Sequence, residues 1–175
     1  MLKKIGLGVL LLIAIILGMA TVQPTTFRVQ RQIDIKAPAE RIQPLISDFH
    51  HWTQWSPWEK LDPAMKRTYS GATEDLGAVY AWEGDDKVGA GRMEITGLKA
   101  PELVQIKLDF IKPFASACQT EFTLASKGEM TSVVWTMTGP ADFTTRLMGL
   151  FVSMDKMIGK DFEAGLANLK EVAEK

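Results

Sequence analysis

The side chains able to do chemistry are few and scattered. His50 and His51 are adjacent, and neighbouring positions on a helix point in different directions. No His-Glu-x-x-His pattern, second cysteine or carboxylate cluster at ligand spacing accompanies them, so they do not read as a metal site. Cys118, the single cysteine, alternates with apolar neighbours and reads as an inert core thiol rather than a nucleophile. Gly89-Ala90-Gly91 runs into a strand pattern and not into a helix N-terminus, so it does not read as a phosphate loop, and no Gly-x-Ser-x-Gly elbow occurs. Nothing in these spacings calls for a cofactor. Three polar groups could still serve as acid, base or oxyanion donor in an apolar interior: Arg31 and Thr120, each on the apolar side of its strand, and the Tyr80 hydroxyl. An unpaired charge facing a core is costly. Arg31 therefore either reaches a polar cavity or escapes to solvent or a nearby acid.

The elements that must position these groups follow from hydrophobic period. Phe27, Val29, Ile33 and Ile35 alternate with polar residues, giving a half-buried strand in which Arg31 breaks the pattern. Ala37-Pro38 ends it, and Ile42, Leu45, Ile46 and Phe49 recur at helical spacing over about 38–49, with Pro44 expected to bend that helix. Six strands follow at about 66–71, 77–83, 88–98, 102–111, 116–126 and 130–138. Their short connections imply an antiparallel meander with one wet face, to which Arg92, Glu94, Lys107, Asp109 and Glu121 belong. From about 144 to 173 a single amphipathic helix is expected, carrying Leu147, Phe151, Met154, Ile158, Phe162, Leu166, Leu169 and Val172 on one side. Gly149, Gly159 and Gly165 are poor helix residues, so either something approaches that helix closely or it bends.

In front of this lies a run without charge, Ile5 to Val22. Eighteen residues at about 1.5 Å rise span ~27 Å, close to the ~30 Å of a hydrocarbon core. The reading is a membrane anchor and linker over 1–26 and a ligand-binding domain over 27–175. The alternative is a signal peptide cut after Ala20, since Gly18-Met19-Ala20 supplies the small residues. Lys3 and Lys4 touch one end of the run whereas Thr21 to Phe27 is uncharged, so the N-terminus is expected in the cytoplasm and the domain outside the inner membrane, or periplasmic or secreted after cleavage. The chain has 20 basic and 21 acidic residues, and the only charges before residue 27 are Lys3 and Lys4, so the domain itself is slightly acidic. That argues against a nucleic-acid partner.

The strings IDIKAPAERIQPLISDFHHWTQWSPW (Ile33 to Trp58), YSG (Tyr69 to Gly71), GAVYAWEG (Gly77 to Gly84), VGAGRMEI (Val88 to Ile95) and DFEAGLANLK (Asp161 to Lys170), with this order of elements, resemble the SRPBCC superfamily. This is the START-like, birch-pollen-allergen-like helix-grip group, and the likeness lies nearest its polyketide cyclase/dehydrase-like members. The resemblance implies an α+β fold: a seven-stranded antiparallel sheet wrapped around a long C-terminal helix, with two short helical segments after the first strand. It also implies an apolar cavity for a hydrophobic small molecule or lipid.

The residues could line such a cavity. Trp55, Trp58, Tyr80, Trp82, Phe110, Phe114, Trp135 and Phe151 are the aromatic candidates, Met93, Met137 and Met154 the adaptable ones, and Arg31 and Thr120 the polar ones. Plain core packing would use the same side chains. Trp55 and Trp58, three apart around a proline, read as a rim or as a lock between loop and core. Three functions stay open: binding of a hydrophobic ligand by a membrane-tethered domain, a small cyclase or dehydratase acting on a polyketide-like or aromatic substrate, and an envelope interaction module whose pocket is filled.

Overall fold

The computed structural model describes residues 2–175, and side chains from residue 4 onward. The side chain of Lys3, which the orientation reading uses, lies outside the described ones. Helix α1 (Leu2–Thr21) is followed by β1 (Thr26–Ile35), α2 (Ala39–Ser47), a tight turn at Phe49–His51, α3 (Trp52–Trp55) and a second tight turn at Pro57–Lys60. Strands β2 (Lys66–Gly71), β3 (Ala78–Glu83), β4 (Ala90–Lys99), β5 (Leu103–Lys112), β6 (Ser116–Lys127) and β7 (Met130–Pro140) come next, then α4 (Phe143–Gly149) and α5 (Met154–Ala173).

The strands form one antiparallel sheet in the order β1-β7-β6-β5-β4-β3-β2. Hairpins make the meander, and β1 pairs with β7 from Thr26↔Pro140 to Ile35↔Thr131, which brings the start of the domain beside its last strand. The expected alternation sets the inner face. Val29, Ile35, Val104, Ile106, Cys118, Phe122, Val133 and Trp135 are buried against the helices, while Arg92–Glu94 and Lys107–Asp109 pair on the outer face.

Packing explains the short segments. The indole N–H groups of Trp52 and Trp55 donate to the carbonyls of Ile46 and Leu45, both 2.8 Å away. These carbonyls lie in the last turn of α2, where no intrahelical partner exists. Asn168 of α5 donates to the Trp55 carbonyl at 3.0 Å, so the segment is fastened to the C-terminal helix. Pro44 lies inside α2 on its exposed side, where water can reach the carbonyl its missing N–H leaves free.

The single helix expected over about 144–173 is interrupted between Gly149 and Met154. Each half has its own N-cap: the Asp142 carboxylate accepts from the Thr145 N–H at 2.7 Å, and the Ser153 hydroxyl from the Lys156 N–H at 3.3 Å. Of the three glycines, Gly149 faces open space and marks the interruption, whereas Gly159 and Gly165 each make room for a neighbour. A Cβ on Gly159 would collide with the Arg31 guanidinium, and one on Gly165 would sit 2.9 Å from the Trp135 ring.

Candidate functional site

Helix α5 packs along β1 and its C-terminal half closes the core through Leu166, Leu169 and Ala173. Between its N-terminal half and the inner face of the sheet lies a cavity of about 530 Å³, within the ~300–1,000 Å³ range of small-molecule pockets. One side is sheet: Tyr80 and Trp82 of β3, Met93 of β4, Leu108 and Phe110 of β5, Cys118 and Thr120 of β6, Trp135 and Met137 of β7. The other is Met154, Met157, Ile158, Asp161 and Phe162 of α5, with Trp52, Trp58 and Glu59 from the segment after α2 closing the inner end. The mouth lies between the β3–β4 loop (Asp86 to Gly89), the β5–β6 loop (Lys112 to Phe114) and the α4–α5 region.

Trp135 organises the wall. Its ring stacks on Phe162 with centroids 3.9 Å apart and on Phe122 at 4.8 Å, and Trp58 meets it edge-on at 5.8 Å. Its indole N–H donates to the Thr120 hydroxyl at 2.9 Å, and that hydroxyl donates to the Thr136 carbonyl at 3.0 Å. Thr120 thus lies at the wall with its one proton already committed. Trp82 is set by Gly91: a Cβ there would collide with the indole ring, and the indole N–H donates to the Val88 carbonyl at 3.0 Å.

The polar inner end was only partly foreseen. Tyr80 donates its hydroxyl to Glu59 at 2.6 Å, and Arg67 donates to the same carboxylate at 2.7 Å. Burial, reinforced by the Glu59 carboxylate, pushes the Tyr80 hydroxyl well above the ordinary phenol range, so it stays a donor at neutral pH. The carboxylate in turn raises the Arg67 guanidinium. Asp161 is different: it lines the cavity without a hydrogen-bond or ion-pair partner among the described residues, and burial alone raises its pKa. Burial likewise pushes the Cys118 thiol up, which makes it a poor nucleophile. The spacing of the sequence held a signal for Asp161, which stands three residues beyond Ile158 and four beyond Met157 and so shares their side of the helix. Glu59 held none, because its burial comes from a tyrosine 21 residues away.

Of the residues expected at a cavity, Trp58, Tyr80, Trp82, Met93, Phe110, Phe114, Trp135, Met137, Met154 and Thr120 lie on its wall or rim, and three do not. Trp55 is fully buried in the core, turned toward α2 by its bond to Leu45, and Trp52 takes the wall position. Phe151 is 74% exposed because the interruption between α4 and α5 turns it outward. Arg31 leaves the interior for the α5 surface, where Nη1 meets Asp155 at 2.7 Å and Nε meets Glu163 at 2.6 Å across Gly159. It is the acid-paired outcome of the two foreseen. An interior filled by side chains does not fit an open cavity of this size.

His50 and His51 stay apart from all this. Asp48 holds His50 Nδ1 at 2.7 Å, and the ring stacks on Tyr69 beside a shallow groove. Among the described residues no group of three or more His, Cys, Asp or Glu could hold a metal ion.

Residues 26–174 match the family described as "Polyketide cyclase / dehydrase and lipid transport". No curated protein is matched by sequence. Among solved structures, the ginseng major latex-like protein 151 from Panax ginseng superposes with a TM-score of 0.61 at 14% identity, covering 87% of this chain and 100% of that one. Protein CV1439 from Chromobacterium violaceum gives 0.61 at 15% identity, with coverages of 87% and 99%. The Aha1 protein from Colwellia psychrerythraea gives 0.60 at 16%, with coverages of 85% and 96%. At such identities these neighbours speak for the fold alone. By its family match and its seven-stranded grip on α5, the chain belongs to the polyketide cyclase/dehydrase and lipid transport family of the SRPBCC helix-grip superfamily.

Proposed function

We propose that the domain holds a hydrophobic small molecule or lipid in the cavity beneath α5, and that α1 tethers it to the membrane that supplies this ligand. The observation that carries the reading is an open cavity of about 530 Å³ whose wall is aromatic rings, methionines and aliphatic chains. Burying apolar ligand surface there yields about 25 cal/mol per Å² removed from water, before the cost of ordering the ligand. Supporting the tether, Lys4–Thr21 is apolar enough to cross a bilayer and only 6% of it is buried by the rest of the protein. The same helix would serve as a signal sequence; retention as an anchor, with the N-terminus cytoplasmic and the domain outside, is the reading adopted. The test is uptake of a fluorescent fatty acyl probe by the wild type and by Cys118→Trp, which adds an indole to the wall. One-to-one uptake that falls at least tenfold in the variant supports the reading. Unchanged uptake by a folded variant counts against it.

A second reading, a cyclase or dehydratase on a polyketide-like or aromatic substrate, is favoured by the Tyr80–Glu59 hydrogen bond and the unpaired Asp161 facing one cavity. A carboxyl and a phenol are the acid and base such chemistry needs. Conversion of a poly-ketone chain with loss of water, abolished in Asp161→Asn, would establish it. Absence of turnover with intact probe uptake would dismiss it.

A further inference from the structure

The rim of the cavity is apolar in a way the cavity alone does not require. Phe114 on the β5–β6 loop is 83% exposed, Phe151 and Val152 between α4 and α5 are 74% and 47% exposed, and Met148 and Met157 about half exposed. Ile111, at the end of β5, is 58% exposed. Phe114 and Met157 belong to the lining, and Thr145 and Met154, on either side of the α4–α5 connection, line it as well. The exposed side chains therefore occupy both lips of one opening. Large exposed apolar patches mark a partner or a membrane.

The contacts of α1 say which. Its side chains from Ile5 to Met19 are exposed and apolar almost all round, but its last turn docks on α4: Ala20 is fully buried, and the Thr21 carbonyl accepts from Arg146 Nη1 at 3.2 Å. The point where the helix leaves the hydrocarbon is thus beside α4, at the lip of the cavity. Only Val22 to Thr25 separate α1 from β1, a span of at most about 14 Å when extended, so the domain cannot swing that lip far from the bilayer. Lys156 and Lys160, exposed on the neighbouring turns of α5, suit lipid head groups.

We infer that Phe114 on one lip and Met148, Phe151 and Val152 on the other insert into the surface of the bilayer that holds α1, so that the cavity opens directly into lipid. This rests on the tethered, ligand-binding reading above and adds an orientation to it. A ligand would pass from membrane to cavity without crossing water, and the exposed rings would lose their water contact at the head-group and acyl boundary.

The test uses the full chain in vesicles of phosphatidylcholine and phosphatidylglycerol. Nitroxide labels go on Phe114→Cys and Phe151→Cys, and on Glu129→Cys as a control, each in a Cys118→Ser background. Residue 129 sits in the β6–β7 turn, at the far end of a strand of 12 residues, roughly 40 Å from the β5–β6 loop. Labels 114 and 151 are expected to be relaxed by dissolved oxygen in preference to a water-soluble nickel chelate, and label 129 the reverse. Labels 114 and 151 that match 129 would overturn the inference. A second arm measures transfer of pyrenedecanoic acid from vesicles into the cavity. Phe151→Asp with Val152→Asp, two residues off the cavity wall, should slow transfer at least tenfold while equilibrium uptake from dilute solution stays within twofold; an unchanged transfer rate overturns it. An alkaline wash separates the two ideas. A chain washed off the vesicles ends the tether and this orientation together, whereas a retained chain with water-exposed labels ends the orientation alone.

Discussion

Replacing Arg67 by methionine should strand the Glu59 carboxylate at the inner end of the cavity. The Glu59 side chain is 6% exposed and that of Arg67 23%, with 2.7 Å between the charged groups. Removing one partner of a buried ion pair costs about 3–5 kcal/mol, because the other charge is left without water or counter-ion. Here Tyr80 still donates to Glu59 and Arg67 retains some solvent contact, so about 3 kcal/mol is expected. Adding Glu59→Gln should recover roughly 2 kcal/mol, since the amide accepts from Tyr80 and carries no charge to be buried. Urea unfolding of residues 27–175 measures both. That segment is a fair object for the assay because its buried core cluster draws on no residue of α1. For a domain of this size, 3 kcal/mol corresponds to a fall in Tm of roughly 6–12 °C. A loss below about 1 kcal/mol for Arg67→Met, or no recovery in the double variant, would refute the claim that this pair is buried and mutually dependent.

Asp161 should make stability fall as pH rises. Its pKa in the folded protein is raised by burial, so its contribution is complete below the unfolded-state value of 3.8 and is lost as pH climbs through the folded value. Asp161→Asn should abolish that component of the pH profile, as read by urea midpoints between pH 3 and 7. Cys118 should react with iodoacetamide far more slowly in the native protein than in urea at pH 8, and more slowly still when a fatty acyl probe occupies the cavity; equal rates with and without probe would separate the thiol from the ligand. Gly159→Ala should lower Tm in the wild type by displacing Arg31 from Asp155 and Glu163. In an Arg31→Met background the same change should stabilise by about 1 kcal/mol, the ordinary helix preference of alanine over glycine. The same sign in both backgrounds would show that Arg31 does not depend on the gap at Gly159.

The sheet was legible because alternation on β5, β6 and β7 is almost unbroken, and a period of two assigns inner and outer faces without further knowledge. The gap in the last helical run was not, since Leu147, Phe151 and Met154 keep helical spacing across it. Only the Ser153 cap marks the second start. Trp55 and Trp58 show the limit for the site: the same residue type three positions apart became core lock and cavity wall, because the Trp55 indole bonds to the Leu45 carbonyl of α2 whereas Trp58 packs edge-on against Trp135 and Phe162. Arg31 was correctly singled out as anomalous, but its destination required knowing that Gly159 lies opposite it. Glu59, in the turn at Pro57–Lys60, is buried because Tyr80 of β3 and Arg67 of β2 converge on it.

Native mass spectrometry of residues 27–175, purified without detergent and then offered fatty acyl and isoprenoid probes, asks whether the cavity holds a hydrophobic ligand. One apolar molecule per protein is expected, retained from the host or taken up from the probe set, and displaced in the Cys118→Trp variant. A protein that is consistently empty and takes up none of these probes would contradict it.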